Sequence, residues 1–241
     1  MFGRGINRMY EYDIRVGYSR VDEDKKLTIA GLIDLFQDCS TFQSEDLGIG
    51  LDYCREHGFF WVVNSWQVEI DRLPTLCENI SVFTYPVDFR GFVGQRCFGI
   101  RAGGEIIIRC YSIWSLLSTS DYRPVKMNEE MGIRYKTEEP LPMGKITRKI
   151  KVPEGGELKA PVTIEPVHLD ANHHVNNGKY VSIAAAYLPE GMQIRGFRAM
   201  YLAQAFLGDV MIPRVSELPE GGYVVSLESS EGAPYAIMEF K

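Results

Sequence analysis

The feature that most constrains this chain is a junction that it carries twice. The segments "VDEDKKLTIAGLI" from Val21 and "LDANHHVNNGKYV" from Leu169 align without a gap. In each, an Asp follows an apolar residue, Asp24 or Asn172 stands two further on, and Leu27 or Val175 opens a helical pattern five after that Asp. The offset, 169 minus 21, is 148 residues. A self-similarity at that spacing means that one supersecondary plan is used twice.

The flanking patterns agree. In the first copy "YEYDIRVGYSRVD" is strand-like and runs into "LTIAGLIDLFQDCSTFQSEDLGIG". There Ile29, Leu32, Ile33, Phe36 and Cys39 recur at steps of three and four, Thr28 can cap the start, and Gly48 and Gly50 follow the end. That spacing predicts a helix. The stretches "FFWVVNSWQVEI", "NISVFTYPVDF", "FVGQRCFGIR" and "EIIIRCYSIWSLLS" are rich in aromatic and β-branched residues, with a hairpin turn at "RAGGE", and predict an antiparallel meander. The second copy repeats the order. "APVTIEPVHLD" is strand-like, "NNGKYVSIAAAYL" is a helix with little polar face after Lys179, and strands follow at "IRGFRAMYLAQ", "VMIPRV", "YVVSLES" and "PYAIMEF". A helix that is apolar nearly all round has to be wrapped. The expectation is therefore α+β, two curved antiparallel sheets each around a helix, because helices do not alternate with strands. Basic "KITRKIKVPEGGELKA" separates the copies. This divides the chain into a first domain at 1–142, a linker at 143–158 and a second domain at 159–241.

Composition narrows the function classes. The 241 residues are 45% hydrophobic and 24% charged, as in an ordinary folded, water-soluble chain. The first residues lack the apolar core of a signal peptide, and no run approaches the roughly 20 apolar residues of a membrane span. The expected address is the cytoplasm. A formal net charge of −6 argues against nucleic acid as the main partner. Cys39, Cys54, Cys77, Cys97 and Cys110 are odd in number and lack CxxC spacing, so they read as reduced, packed thiols.

Chemistry concentrates in "HLDANHHVNNGKYV", residues 168–181, which holds three of the four histidines. At matched positions of the repeat, Asp170 stands for Asp22, Asn172 for Asp24 and His174 for Lys26. A turn that only had to fold could have used the first copy's residues. Asp170 and Asn172, two apart on extended chain, point the same way, and His174 sits where the chain enters the helix. His174 can move a proton near neutral pH, Asp170 can fix its tautomer or stabilise its cation, and Asn172 can polarise a carbonyl or hold a water. The free N–H groups of the helix start, around Asn176, Asn177 and Gly178, suit an oxygen that becomes negative during acyl transfer. Gly178 inside the first turn suggests that something approaches the backbone closely. Two plainer readings stand beside this one. A zinc site would use His168, Asp170 and His173 or His174, although HxDxxHH is no established ligand spacing. A structural capping turn would use Asn176 or Asn177 as N-cap. His168 and His173 read as bystanders, since chain neighbours on an extended segment face opposite ways.

These residues resemble the signature of the acyl-acyl carrier protein thioesterases of plastids and bacteria, an Asp-x-Asn-x-His-Val-Asn-Asn-x-Lys-Tyr run. "FFWVVNSWQVEIDRLPT" is similar to that family's Trp-Val-Val strand and Arg-x-Pro-Thr turn, and "SIWSLLSTSDYRPVKM" to its Ser-x-Trp strand and Arg-rich exit. The resemblance runs in order over most of residues 10–241. It implies a tandem hotdog fold and hydrolysis of the thioester between a fatty acyl chain and the phosphopantetheine arm of acyl carrier protein, with no metal and no cofactor. The family's catalytic Asp, Asn and His fall on Asp170, Asn172 and His174. Its later Tyr-x-x-Glu-Cys pattern meets "MYLAQAF", so that Gln204 stands where the acid would be and Ala205 where the cysteine would be. A Cys–His–Asn mechanism is thereby disfavoured; a carboxamide at 204 can hold a water but not take its proton.

The resemblance also implies that the first copy supplies the acyl-chain pocket, with Leu32, Phe36 and Trp66 as candidate lining. Arg123, Lys126, Lys145, Arg148, Lys149 and Lys151 are candidate landing residues for the acidic carrier protein; a solvated charged linker accounts equally for the last four. A homodimer is a candidate assembly. The competing functions are a coenzyme A thioesterase of the same fold, a catalytically weakened acyl-thioester binding module, and a hydratase-type hotdog, which would need a second His–acid pair.

Overall fold

The computed structural model describes residues 9–170 and 173–241. In the first copy, β1 (Tyr10–Arg15) and a 3-10 turn (Tyr18–Arg20) lead to α1 (Ile29–Asp46) and α2 (Leu51–Glu56). The meander follows as β2 (Phe59–Ile70), β3 (Asn79–Arg90), β4 (Val93–Ala102) and β5 (Glu105–Ser118). After α3 (Glu129–Arg134) come β6 (Glu157–Leu158), β7 (Val162–Thr163), a 3-10 turn (Pro166–His168) and α4 (Asn177–Ala185). The second meander is β8 (Gly196–Tyr201), β9 (Val210–Glu217), β10 (Tyr223–Glu228) and β11 (Pro234–Phe240). Among the described residues no helix is long and apolar enough to cross a membrane.

The strands pair in the order β1-β3-β4-β5-β2-β8-β11-β10-β9, with β6 and β7 both on β9. The path β1-β3-β4-β5-β2 is therefore repeated as β7-β9-β10-β11-β8. The copies meet where the equivalent strands β2 and β8 run antiparallel, from Ser65 opposite Met200 to Glu69 opposite Gly196. Equivalent strands paired antiparallel impose a local two-fold relation between the copies.

The repeat holds at the level of single hydrogen bonds. Val21 bridges Leu27 as Leu169 bridges Val175. The amide of Asp22 donates to the Lys26 carbonyl at 2.9 Å, and that of Asp170 to the His174 carbonyl at 3.0 Å. Lys25 and His173 share a positive φ of 61° and 63°. The N-caps are Thr28 and Asn176, each accepting through its side chain from the first-turn amide of Gly31 or Gly178. The bridges, turn bonds, positive-φ residues and N-caps lie 148 residues apart; only the capped glycines differ, by 147, because Thr28 reaches the third residue on and Asn176 the second. α1 ends as its glycines predict. Gly48 at φ 68° lets its own amide reach the Glu45 carbonyl and that of Ile49 reach Ser44, a paired closure that satisfies carbonyls of the last turn.

One core spans both copies. Leu32, Phe36, Trp66, Val68 and Phe98 of the first share a buried cluster with Tyr180, Val181, Phe197 and Met238 of the second. A bulge between Val63 and Ser65 shifts the alternation of β2, so that Val63 and Trp66 both enter this cluster. On the opposite face of the sheet, Gln67 and Arg198 hold the chain between the copies. Gln67 donates to the Lys145 carbonyl at 3.2 Å and accepts from the Thr147 amide at 3.2 Å, while Arg198 donates to the Lys149 carbonyl at 3.4 Å. Ile150 is buried with Val224 and Ile237. The expected linker is thus strapped across the β2–β8 seam, and its last two residues form β6.

Two expectations need correction. The strand read at 160–170 shrinks to Val162–Thr163, because Pro166 starts a 3-10 turn in which His168 Nδ1 accepts from the Glu165 amide at 2.9 Å. The short helices α2 and α3 were not anticipated; Asn128 caps α3 by accepting from the Met131 amide at 2.9 Å.

Candidate active site

The turn before α4 gathers the motif. His174 Nδ1 lies 3.6 Å from Asp170 Oδ1, and about a fifth of each side chain is exposed. Asn172 lies outside the described residues. His173 is exposed in its left-handed conformation, so of the two adjacent histidines only His174 faces the carboxylate. His168 is committed to its own turn. Among the described residues no three His, Cys, Asp or Glu side chains converge as a metal site would require.

The loop between β8 and β9 closes over this turn. The Val175 amide donates to the Ala205 carbonyl at 3.0 Å, and the Ala205 amide donates to the Tyr180 hydroxyl at 2.9 Å. The Phe206 ring stands edge-on to the His174 imidazole, with centroids 6.5 Å apart. Gln204, half-buried, is therefore held by its neighbour Ala205 against the motif's first helical turn. Tyr201 at the end of β8 donates to the Asn177 carbonyl at 2.9 Å. Burial pushes the hydroxyls of Tyr180 and Tyr201 well above their usual range, so both remain protonated donors at neutral pH.

The helix start holds fewer available donors than the sequence suggests. The Gly178 amide is taken by Asn176 Oδ1 at 2.7 Å, and the Lys179 amide by the Asn176 carbonyl at 2.9 Å. Neither is free to bind an oxyanion. The close approach that Gly178 permits is made by α1. A Cβ there would stand 3.0 Å from Asp34 Oδ1 and 3.4 Å from the Ala30 carbonyl oxygen. Asn177 also turns to α1, with Nδ2 donating to Gln37 Oε1 at 3.1 Å. The first copy thus contributes a polar helix face to the site, a role that the absence of histidine from its own junction had hidden.

Leu32, Phe36 and Trp66 are fully buried and packed on one another. The Phe36 and Trp66 rings stack at 6.2 Å, and both meet Phe98 at 5.2 Å. The candidate landing residues fall into two groups. Arg148 and Lys149 are exposed on the strap across the outer face. Arg123 and Lys126, also exposed, follow β5 where Ser118 pairs with Phe59. Phe59 and Gln67 lie eight residues apart on β2, about 26 Å at strand rise.

The model of the acyl-ACP thioesterase N-terminal domain family matches residues 7–135. A chloroplastic acyl-[acyl-carrier-protein] hydrolase of Cuphea viscosissima is 26% identical over 192 residues, covering 74% of this chain and 46% of that protein. The palmitoyl-acyl carrier protein thioesterase of Gossypium hirsutum is 28% identical over 156 residues, covering 60% and 37%. The chain spans about half the length, or less, of these curated relatives. Among solved structures, an acyl-ACP thioesterase from Bacteroides thetaiotaomicron superposes with a TM-score of 0.90 at 23% identity, covering 97% of both chains. The 12:0-ACP thioesterase from Umbellularia californica does so at 0.87 and 19% identity, covering 100% of this chain and 98% of its own. These likenesses establish the fold as the tandem hotdog. Since the family model takes in more than half of its residues, the chain belongs to the acyl-ACP thioesterase family.

Proposed function

We propose that the protein hydrolyses the thioester of fatty acyl-acyl carrier protein to free fatty acid. The observation that carries this is the Asp170–His174 pair at the entrance of α4, at 3.6 Å, present in the second copy and absent from the first. A thioester carbonyl has little resonance to lose, so a polarised carbonyl and an activated water suffice. Water adds to the carbonyl carbon, the C–S bond breaks, and the thiolate leaves with a proton. His174, oriented by Asp170, moves that proton. Asn172 polarises the carbonyl, and Gln204 holds the water without accepting from it. Asn176 and Gly178 shape the floor through their bonds rather than as free donors, and Asn177 reaches α1 through its side chain.

For docking, β8 stops pairing with β2 at Ser65, and Tyr201 ties that end of β8 to α4. The Phe59 end of β2 and the Arg123–Lys126 segment therefore extend past the mouth of the site, whereas Arg148 and Lys149 lie behind the sheet. We assign the acidic carrier protein to Arg123 and Lys126. A cytoplasmic address and homodimerisation belong to the same proposal, the latter testable by sedimentation. The test of function is turnover of an acyl-acyl carrier protein thioester by the purified protein and by His174→Ala. Hydrolysis that the substitution leaves intact would refute the assignment.

A further inference from the structure

We infer that Asp34, on the helix of the first copy, is the general base of the hydrolysis, completing a site whose other members come from the second copy. This rests on the function proposed above. Asp34 Oδ1 and Asn176 Oδ1 lie 3.0 Å and 3.2 Å from the same point, the Cβ position on Gly178. The carboxylate thus stands against the first turn of α4, four residues from His174. α1 crosses α4 so that Ala30 and Asp34 meet Gly178 while Gln37, one turn on, meets Asn177. The face of α1 that bears Asp34 therefore runs toward the motif.

The two-fold relation between the copies sharpens the point. The position equivalent to Asp34, 148 residues on, is Ser182. The first turn of α4, after His174, is faced by a carboxylate from the other copy's helix, whereas the second helix carries only a serine at the equivalent sequence position. Two asymmetries that match in this way are economical if both serve one reaction centre. The neighbours also leave Asp34 unoccupied. Asp38, one turn along α1, pairs with Arg20 at 3.4 Å, but among the described residues the Asp34 carboxylate has no hydrogen-bond or ion-pair partner. It is half-buried, so a water can reach it.

Its titration fits a base. Burial raises its pKa above the usual carboxylate range, Asp38 adds to the rise, and Lys179 of α4 and Arg20 oppose it. In the proposed step the water oxygen bonds to the carbonyl carbon as its proton passes to Asp34. As the C–S bond breaks, a proton from His174 goes to the leaving sulfur, and Asp34 later returns its own through solvent. The sum is thioester plus water giving acid plus thiol, with no other reactant.

Asp34→Asn keeps the shape and removes the base. We expect kcat on the acyl-acyl carrier protein thioester to fall by about 100-fold or more with KM little changed, the scale of a lost general base. The acidic limb of the kcat profile, where the wild type loses rate as pH falls through the raised pKa, should disappear. A carboxylate whose folded pKa is raised contributes least stability above that pKa, so the melting temperature of Asp34→Asn at pH 7 should hold or rise. Asp38→Asn serves as the control. Near-wild-type kcat in Asp34→Asn, an unchanged acidic limb, or a loss of rate matched by a loss of melting temperature would each overturn the role. A wild-type protein that cleaves no acyl thioester would refute the function itself, and the role of Asp34 with it.

Discussion

Replacing Tyr180 by Phe isolates the clasp between α4 and the loop that carries Gln204. Tyr180 is 3% exposed and Ala205 fully buried. The phenol oxygen is the acceptor for the Ala205 amide at 2.9 Å, and its proton points to the Ala203 carbonyl at 3.5 Å. The substitution leaves the ring packing in place and orphans one buried N–H, a loss of about 1–3 kcal/mol. For a domain of this size each kcal/mol moves the melting temperature by about 2–4 °C, so the expected drop is about 2–12 °C. The lower end applies if a water enters to replace the hydroxyl. Because Ala205 also receives the Val175 amide, a loosened loop should shift Gln204 relative to His174 and lower kcat more than it raises KM. Calorimetry and steady-state kinetics on the same preparation read both. An unchanged melting temperature together with unchanged kcat would refute the view that this hydroxyl fixes the loop.

Phe36→Ala opens a void among Trp66, Phe98 and the helix and should cost about 3–5 kcal/mol in chemical denaturation; an unchanged stability with an altered acyl-chain preference would instead make Phe36 a pocket wall. Reversing Arg123 and Lys126 to Glu should raise KM for the carrier-protein thioester but not for the coenzyme A thioester of the same acyl chain, and an equal rise for both would remove these residues from docking. Gln204→Glu introduces a second proton acceptor beside the motif and should raise kcat, whereas a fall would mean that the carboxamide's N–H is needed at that position.

The fold was readable because its signals are local or repeated. β2, β5 and β11 occupy the segments that their aromatic and β-branched content marked, and the repeat located the motif through N-caps and turn bonds that recur 148 residues apart. What stayed hidden depends on contacts distant in sequence. Gly178 announced a close approach, but not that α1 makes it. Asp34 lies in a helix read for its apolar stripe, and only the crossing of α1 and α4 turns its polar side toward the site. Leu32, Phe36 and Trp66 were candidate pocket residues because large apolar side chains serve cores and ligand slots alike; the stacked rings put them in the core. The end of the expected strand at 160–170 was set by Pro166 and a His168 side chain that turned back on its own backbone.

The measurement that bears most directly on the central claim is product release from an acyl-acyl carrier protein thioester, run beside the coenzyme A thioester of the same chain. The account predicts free fatty acid with a higher kcat/KM for the carrier-protein substrate, and no product from His174→Ala. Binding without cleavage, or cleavage of the coenzyme A thioester as efficiently as the other, would contradict it.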